Sequence, residues 1–371
     1  MVKKSKIKDL GTIVTGKTPS TKNPQFWIGE IDFITPKDIQ VTKHVFNTER
    51  NLSYEGMKAV ASSLLPANAI CVSCIGNIGY VGMTTKPSVT NQQINSIICN
   101  QDNDPNFVFY LMKSLWPIFK NFEGQSTTIS ILNKGQFSDI DILLPCLEDQ
   151  KKIAAYLSYI DEKIELNNKI NDNLQQQAEA AYSKLMDEAS NCTQVPLKDI
   201  THITMGQSPA GHSCNENAVG AVFYQGRAEF GFRFPTRRLF TTEPKRMAKS
   251  GDVLLSVRAP VGDTNVAYEE CCIGRGLSAI ESKTGESSFL LYTLRYLNRQ
   301  FEVFNAEGTV FGSINKEQLN NFQIKLPPKE KIKEFEAIAR PMDDLIRLNF
   351  TENCRLTELR DRLLLNFFNN K

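Results

Sequence analysis

The chain has 371 residues, 41% of them hydrophobic and 23% charged, with a formal net charge of only +2. That length holds two or three domains with cores of their own, at an ordinary globular composition. No run approaches the roughly 18 apolar residues that span a bilayer, and so balanced a charge gives no general pull toward nucleic acid, so any such role must rest on local charge.

The lysine-rich start, Met1 to Leu10, has no apolar core and does not read as a secretory signal. Its Ile7-Lys8-Asp9-Leu10 is followed by a polar loop, Gly16-Lys17-Thr18-Pro19-Ser20-Thr21-Lys22. Ile31 to Ile34, Ala69 to Ser73 and Asn95 to Cys99 are short apolar runs between turn residues and read as strands. Cys71 and Cys74 form a CxxC inside one of them, but there is no second pair and the chain has only three histidines, so neither zinc nor redox chemistry is expected. Nine scattered cysteines, an odd number, fit a reducing cytoplasm better than a disulfide framework. Thr90-Asn91-Gln92-Gln93 and Gly124-Gln125-Ser126-Thr127-Thr128 are further amide- and hydroxyl-rich loops. Asn and Gln can contact adenine bidentately, although such residues are also plain turn formers. Phe107 to Phe122 has helical spacing, with Asp and Asn before it to cap it.

Ile140 to Leu144 reads as a strand stopped by Pro145, after which a long amphipathic helix begins near Glu148. Its apolar positions step by four and three: Ile153, Leu157, Ile160, Ile164, then Leu174, Ala178, Ala181 and Leu185, with Asn167 and Asn171 in the same register. That is a coiled-coil seam, and buried asparagines would fix its register. The whole pattern then repeats. Leu197-Lys198-Asp199-Ile200, Gly206-Gln207-Ser208-Pro209, Ser256, Gly262, Gly308 and Asn315-Lys316 echo Ile7-Lys8-Asp9-Leu10, Gly16-Lys17-Thr18-Pro19, Ser73, Gly79, Gly124 and Asn133-Lys134. Asp252 to Val257 and Leu277 to Ile280 take the strand positions, Phe289 to Phe304 the short helix, and Phe322 to Leu326 the last strand. The second seam, 182 positions on, reads Phe335, Ala339, Met342, Ile346, Asn349, Asn353, Leu356, Arg360, Leu363 and Phe367.

The expected fold is α+β: two duplicated domains joined by two long helices that form an antiparallel coiled coil. The division is 1–147, 148–192, 193–328 and 329–371. A seam about 50 Å long, at about 1.5 Å per residue, would hold two similar heads apart, a device suited to paired sites on duplex DNA. In the second head, Gln225 to Arg258 carries Arg227, Arg233, Arg237, Arg238, Lys245, Arg246, Lys249 and Arg258 against Glu229, Glu243 and Asp252, interleaved with Phe223, Tyr224, Phe230, Phe232, Phe234 and Phe240. Arginine forks read guanine or clamp phosphates, but the same stretch would also describe a solvated basic face with its rings turned to the core. Catalytic signatures are missing. There is no Walker A run and no Gly-rich dinucleotide loop. Asp104-Pro105-Asn106-Phe107 lacks the second proline of an adenine methyltransferase motif, and Asp139 and Asp141 have no partners for a nuclease.

These residues carry a resemblance. Phe26-Trp27-Ile28-Gly29-Glu30-Ile31, Ile34-Thr35-Pro36-Lys37-Asp38-Ile39, Thr90-Asn91-Gln92 and Leu144-Pro145 into Glu148-Asp149-Gln150 stand in one half. Phe223-Tyr224-Gln225-Gly226, Leu255-Ser256-Val257-Arg258-Ala259-Pro260-Val261-Gly262 and Gly274-Arg275-Gly276-Leu277 stand in the other. In this order, around two long helices, the chain resembles the specificity subunit of Type I restriction-modification systems over essentially its whole length. The resemblance implies two target-recognition domains, each reading half of a split duplex site. It implies helices that dock modification subunits, two of them, which bring S-adenosylmethionine, and restriction subunits in the full complex. No catalytic residue, cofactor, metal or membrane contact is expected of the chain itself, which would work in the cytoplasm. The DNA contacts it points to are Lys17, Thr18, Ser20, Lys22, Lys37, Asn91, Gln92, Gln125, Ser126 and Thr127 in the first domain, and Gln207, Ser208, Gln225, Arg227, Arg233, Arg237, Arg258 and Arg275 in the second. A self-contained methyltransferase or nuclease with fused readers is the alternative, and a protein-binding scaffold is a third reading. The second copy departs from the pattern. Pro327-Pro328-Lys329-Glu330 lacks the Glu-Gln pair, Arg360 sits in the seam, and Pro341 is expected to kink or interrupt the helix.

Overall fold

The structure, a computed structural model, describes residues 2–39, 43–122, 130–189, 191–301, 303–306 and 312–368. The chain divides into two compact units, Met1–Glu165 with Asn353–Lys371, and Leu166–Glu352. Each long helix therefore gives one half to each unit.

In the first unit the elements are β1 (Lys3–Lys6), β2 (Gly11–Thr15), β3 (Ile31–Ile34), β4 (Ile70–Ser73), β5 (Val81–Thr84), β6 (Ser88–Thr90), β7 (Ile94–Cys99), α1 (Pro105–Ser114), β8 (Asp141–Leu144) and the long α2 (Leu147–Glu188). One antiparallel sheet runs β2-β7-β4-β5 and gains His44–Val45, parallel, at its end. A second sheet has β3 and β6 parallel at its centre, flanked by Arg50–Leu52 and Leu64–Leu65. β1 closes the head by pairing with β8, Lys3 opposite Leu144.

The second unit repeats this with β9 (Thr193–Pro196), β10 (Thr201–Met205), β11 (Ala221–Tyr224), β12 (Val253–Ser256), β13 (Thr264–Val266), β14 (Cys271–Ile273), β15 (Leu277–Ser282), α3 (Ser287–Tyr296), β16 (Gln323–Leu326) and the long α4 (Lys329–Phe368). The order β10-β15-β12-β13 matches the first sheet. The parallel pair β11-β14 matches β3-β6, and β9 pairs with β16 as β1 does with β8.

The echoed residues are echoed structural devices. Ser73 and Ser256 each close a hairpin: Ser73 Oγ donates to Asn77 O at 2.6 Å and accepts from Tyr80 N, and Ser256 Oγ donates to Pro260 O at 2.8 Å and accepts from Asp263 N. Gly79 and Gly262 turn those hairpins at φ +97° and +106°, where a side chain would be strained and would also meet Trp116 or Phe301. Asn133 and Asn315 are N-caps with reciprocal partners Gln136 and Gln318.

The short head helices are shorter than their periodicity. α1 ends at Ser114 because Pro117 has no N–H to continue it, and a separate turn, Trp116–Lys120, follows. Their N-termini differ in a way the sequence concealed. Asp104 caps α1 through Phe107 N, while Gln150 of α2 accepts from Asp104 N. α3 has no side-chain cap of its own; Glu336 of α4 accepts from Phe289 N at 2.9 Å. The carboxylate that Asp104 offers Phe107 N from within the first head is thus replaced, at the equivalent Phe289 N, by one from the second long helix.

Seam residues build both cores. Ala154 and Leu157 of α2, with Leu363 and Phe367 of α4, pack on Phe107 and Val108 in the first unit. Ala178, Tyr182 and Leu185, with Ile332, Phe335 and Ala339, pack on Leu255, Phe289 and Tyr292 in the second. In the second unit Asn167 donates to Glu352, Asn171 pairs with Asn349 at 2.8 Å, and Tyr182 packs on Phe335. Numbers rise along one helix as they fall along the other, which defines an antiparallel pair. Pro341 does not interrupt α4: the helix runs unbroken from Lys329 to Phe368. Pro341 and Ala337, whose carbonyl loses its partner within the helix, both lie on the solvent-exposed side. Arg360, an odd residue for a seam, is matched in the first unit by Asp161 at 2.9 Å.

Candidate nucleic-acid interface

Among the described residues, polar loops that are far apart in each half of the sequence meet in space. In the first head Gly16 N donates to Ile94 O and Asn91 N to Ile34 O, so the loops after β2, β3 and β6 lie side by side. A Cβ on Gly16 would collide with the carbonyl oxygens of Asn91 and Thr90, so only glycine permits the approach. In the second head Gly206 N donates to Leu277 O, Gln207 N to Ile273 O, Gly274 N to Tyr224 O and Val257 N to Gly276 O. The buried Pro19 and Pro209 fix the ends of the equivalent first loops.

This geometry brings together Lys17, Thr18, Asn91 and Gln92 in one head, and Gln207, Ser208, Gln225, Arg258 and Arg275 in the other. Thr18 Oγ1 donates to Gln92 Oε1, and Arg275 N donates to Ser208 Oγ at 3.3 Å. Lys17 Nζ reaches Ser62 Oγ at 2.9 Å. Ser20 and Lys22 are exposed on the same loop as Lys17, and Lys37 follows β3 with Glu49 at 3.8 Å. Asn91 is turned in, its amide closing on Gln93. Gln125, Ser126 and Thr127 lie outside the described residues. The flanking Ile131 pairs with Ile75, as Ser313 does with Arg258.

The basic stretch of the second head is less free than its sequence implies. Acids from elsewhere in the chain meet it: Arg227 pairs with Asp263 at 2.9 Å, Arg237 with Glu269, and Lys249 with Glu281 at 2.8 Å. Arg238 takes the buried Glu229 at 2.7 Å. Arg258 and Arg275 are exposed, with no carboxylate in salt-bridge reach among the described residues. The aromatic residues divide as well: Phe223, Tyr224 and Phe234 are buried, whereas Phe232 is 46% exposed.

Arg233 departs from the surface role expected of it. It is 3% exposed and bonds Asp343 of α4 and the Tyr292 hydroxyl, so it ties head to helix from inside. Tyr292 donates to Asp343 at 2.9 Å. The first unit holds the counterpart, which sequence reading missed. Tyr110 donates to Asp161 of α2 at 2.7 Å, Lys43 Nζ lies 4.8 Å above the Tyr110 ring and donates to Ser158, and Arg360 completes the cluster. Tyr110 and Tyr292, and Asp161 and Asp343, are each 182 positions apart, the seam's own repeat. Burial pushes both phenols up and pushes Lys43 down, against the pull of Asp161.

Cys71 and Cys74 are buried among β-strand partners, and that burial pushes both thiols up to about 12. Among the described residues no three His, Cys, Asp or Glu gather as a metal site, and no helix is long and apolar enough to cross a membrane.

The family profile described as "Type I restriction modification DNA specificity domain" matches residues 1–176 and again 190–360. The chain belongs to that family. It is 29% identical to the putative type I restriction enzyme MjaX specificity subunit of Methanocaldococcus jannaschii, over 96% of this chain and 90% of that one. A shorter match, 38% identical over 40% of this chain and 34% of the other, is to the type I restriction enzyme HindI specificity subunit of Haemophilus influenzae. The crystal structure of the Type-I restriction-modification system S subunit from M. genitalium superposes with a TM-score of 0.64 at 17% identity, covering 99% of this chain and 96% of that one. That likeness is one of fold.

Proposed function

We infer that each head meets duplex DNA through its converged loops. The chain is a sequence-specific DNA-recognition subunit of a Type I restriction-modification complex, reading a two-part target and docking methyltransferase subunits, and it is not itself an enzyme. Its partners are DNA and the methyltransferase and restriction subunits. Residues 1–147 and 193–328 act as the two target-recognition domains, and 148–192 and 329–371 as the spacer helices. We place it in the cytoplasm, beside the chromosome it reads.

The observation that carries this reading is the pair of loop clusters, built alike in the two heads and edged by amide, hydroxyl and guanidinium groups. Side chains of those types form bidentate contacts with base edges, and cations on the same surface hold phosphates. In the first head the contacts are Lys17, Thr18, Ser20, Lys22, Lys37 and Gln92, together with Gln125, Ser126 and Thr127 on the strength of their sequence. In the second they are Gln207, Ser208, Gln225, Arg227, Arg237, Arg258 and Arg275. Asn91 supports its loop from within.

Two modification subunits bind, one to each copy of an outward apolar face. Tyr156 and Tyr159 of α2 are 66% and 71% exposed, and Ile338, Leu345 and Leu348 of α4 are 50%, 41% and 65% exposed. Tyr156 and Ile338 occupy the same position of the repeat, as do Tyr159 and Pro341.

Head exchange tests the reading. A chain whose residues 1–147 come from another member of the family should methylate a site changed in one half only. An unchanged methylated sequence would refute it.

A further inference from the structure

We propose that one equivalent position in each head reads a base pair with opposite preference: Gln92 selects an A·T pair in one half-site and Arg275 a G·C pair in the other. This rests on the reading of the heads as duplex-recognition domains.

The equivalence comes from the backbone. Asn91 N donates to Ile34 O at the end of β3, and Gly274 N to Tyr224 O at the end of β11, so Gln92 and Arg275 are the next residues along matching loops. Gly16 N and Gly206 N dock on Ile94 O and Leu277 O at the starts of β7 and β15. Two residues on from these glycines stand Thr18 and Ser208, and each hydroxyl engages the loop opposite, through Gln92 Oε1 or Arg275 N. Both reading side chains are exposed on loops whose preceding residues, Asn91 and Gly274, are buried.

The chemistry of the two side chains then differs. The Thr18 hydroxyl donates to the Gln92 amide oxygen, which fixes the amide's orientation and leaves one lone pair and both N–H donors available. Adenine presents an acceptor at N7 and a donor at N6 in the major groove, matching an amide with a free donor and a free acceptor. Guanine presents two acceptors, N7 and O6, and leaves the amide oxygen without a donor. Arg275 has only donors, so it fits guanine and cannot accept from adenine N6. No carboxylate among the described residues holds Arg275 away from a base edge.

The test uses the chain assembled with its modification subunits, sequencing the methylated sites of a host that expresses it. Gln92→Arg should turn one position of the first half-site from A·T toward G·C, with relative methylation shifting roughly 5- to 150-fold, and leave the second half as it was. Arg275→Gln should do the converse. Thr18→Val, an exposed change of similar shape that removes the hydroxyl holding Gln92, should relax the choice at the Gln92 position alone. If all three variants bind duplex and keep the original methylated sequence, this assignment is overturned while the two-headed reading stands. If the arginine variant fails to assemble, the Thr18→Val result decides alone, an unchanged sequence overturning the proposal. If the unaltered complex methylates no split site, the underlying reading falls first.

Discussion

Arg233 and Arg258 show how one residue type acquires two roles. Both lie in the same basic stretch, and periodicity treats them alike. Arg233 is drawn inside by Asp343, 110 positions away, and by Tyr292, whereas Arg258 stays exposed beside the loop cluster. A buried guanidinium stripped of its carboxylate is costly, typically about 3–5 kcal/mol, because the charge stays behind without a partner. Asp343→Ala should therefore destabilise the second unit by about 3 kcal/mol or more, read from its urea unfolding midpoint. A loss under about 1 kcal/mol would mean that water reaches and screens Arg233. Asp161→Ala should cost less, since Arg360 and Lys43 are the more exposed cations. The Tyr-Asp pairs were written in the sequence at the repeat distance, but nothing local distinguishes a bonded tyrosine from a packed one.

At the level of elements, the long helices were the most legible part. The four-and-three spacing and the asparagines at seam positions survive in the structure, with Asn171 on Asn349. The strands fell within a residue or two of their turn-bounded runs. The ends were less readable: the turn restarted at Trp116–Pro117 and the distant cap from Glu336 depend on partners outside the element. Glu336 gives a pH prediction. Burial holds its carboxyl above the usual carboxylate range, against the Phe289 N–H that favours the charge, and among the described residues its second oxygen is buried with no partner at hydrogen-bond geometry. A raised pKa means the folded chain holds this proton more tightly than the unfolded one, so its contribution to stability falls as pH rises from the unfolded value through the folded one. Glu336→Gln keeps the acceptor for Phe289 and removes the charge. The Tm of the variant should equal or exceed the parent's at pH 8, with the difference shrinking toward pH 4.5. A Tm lower than the parent's at pH 8 would show that the charged cap is the stronger one.

For the molecule as a whole, duplication is visible in the echoed motifs, and it makes the two similar heads legible from the sequence. The meeting of the loops is not, because Gly16 with Ile94, and Asn91 with Ile34, are joined by backbone hydrogen bonds across the head rather than by spacing along the chain. The outward apolar positions lead to a count. Aspartate at Tyr156 and Tyr159 should remove one modification subunit and spare the other, so the native mass of the complex should fall by one subunit. Loss of both, or of neither, would reject two independent docking faces.

The pairing of β1 with β8, and of β9 with β16, places the entry and exit of each head side by side. A head cut out and replaced at those neighbouring strand ends would change as one unit, with the sequence of both long helices left intact.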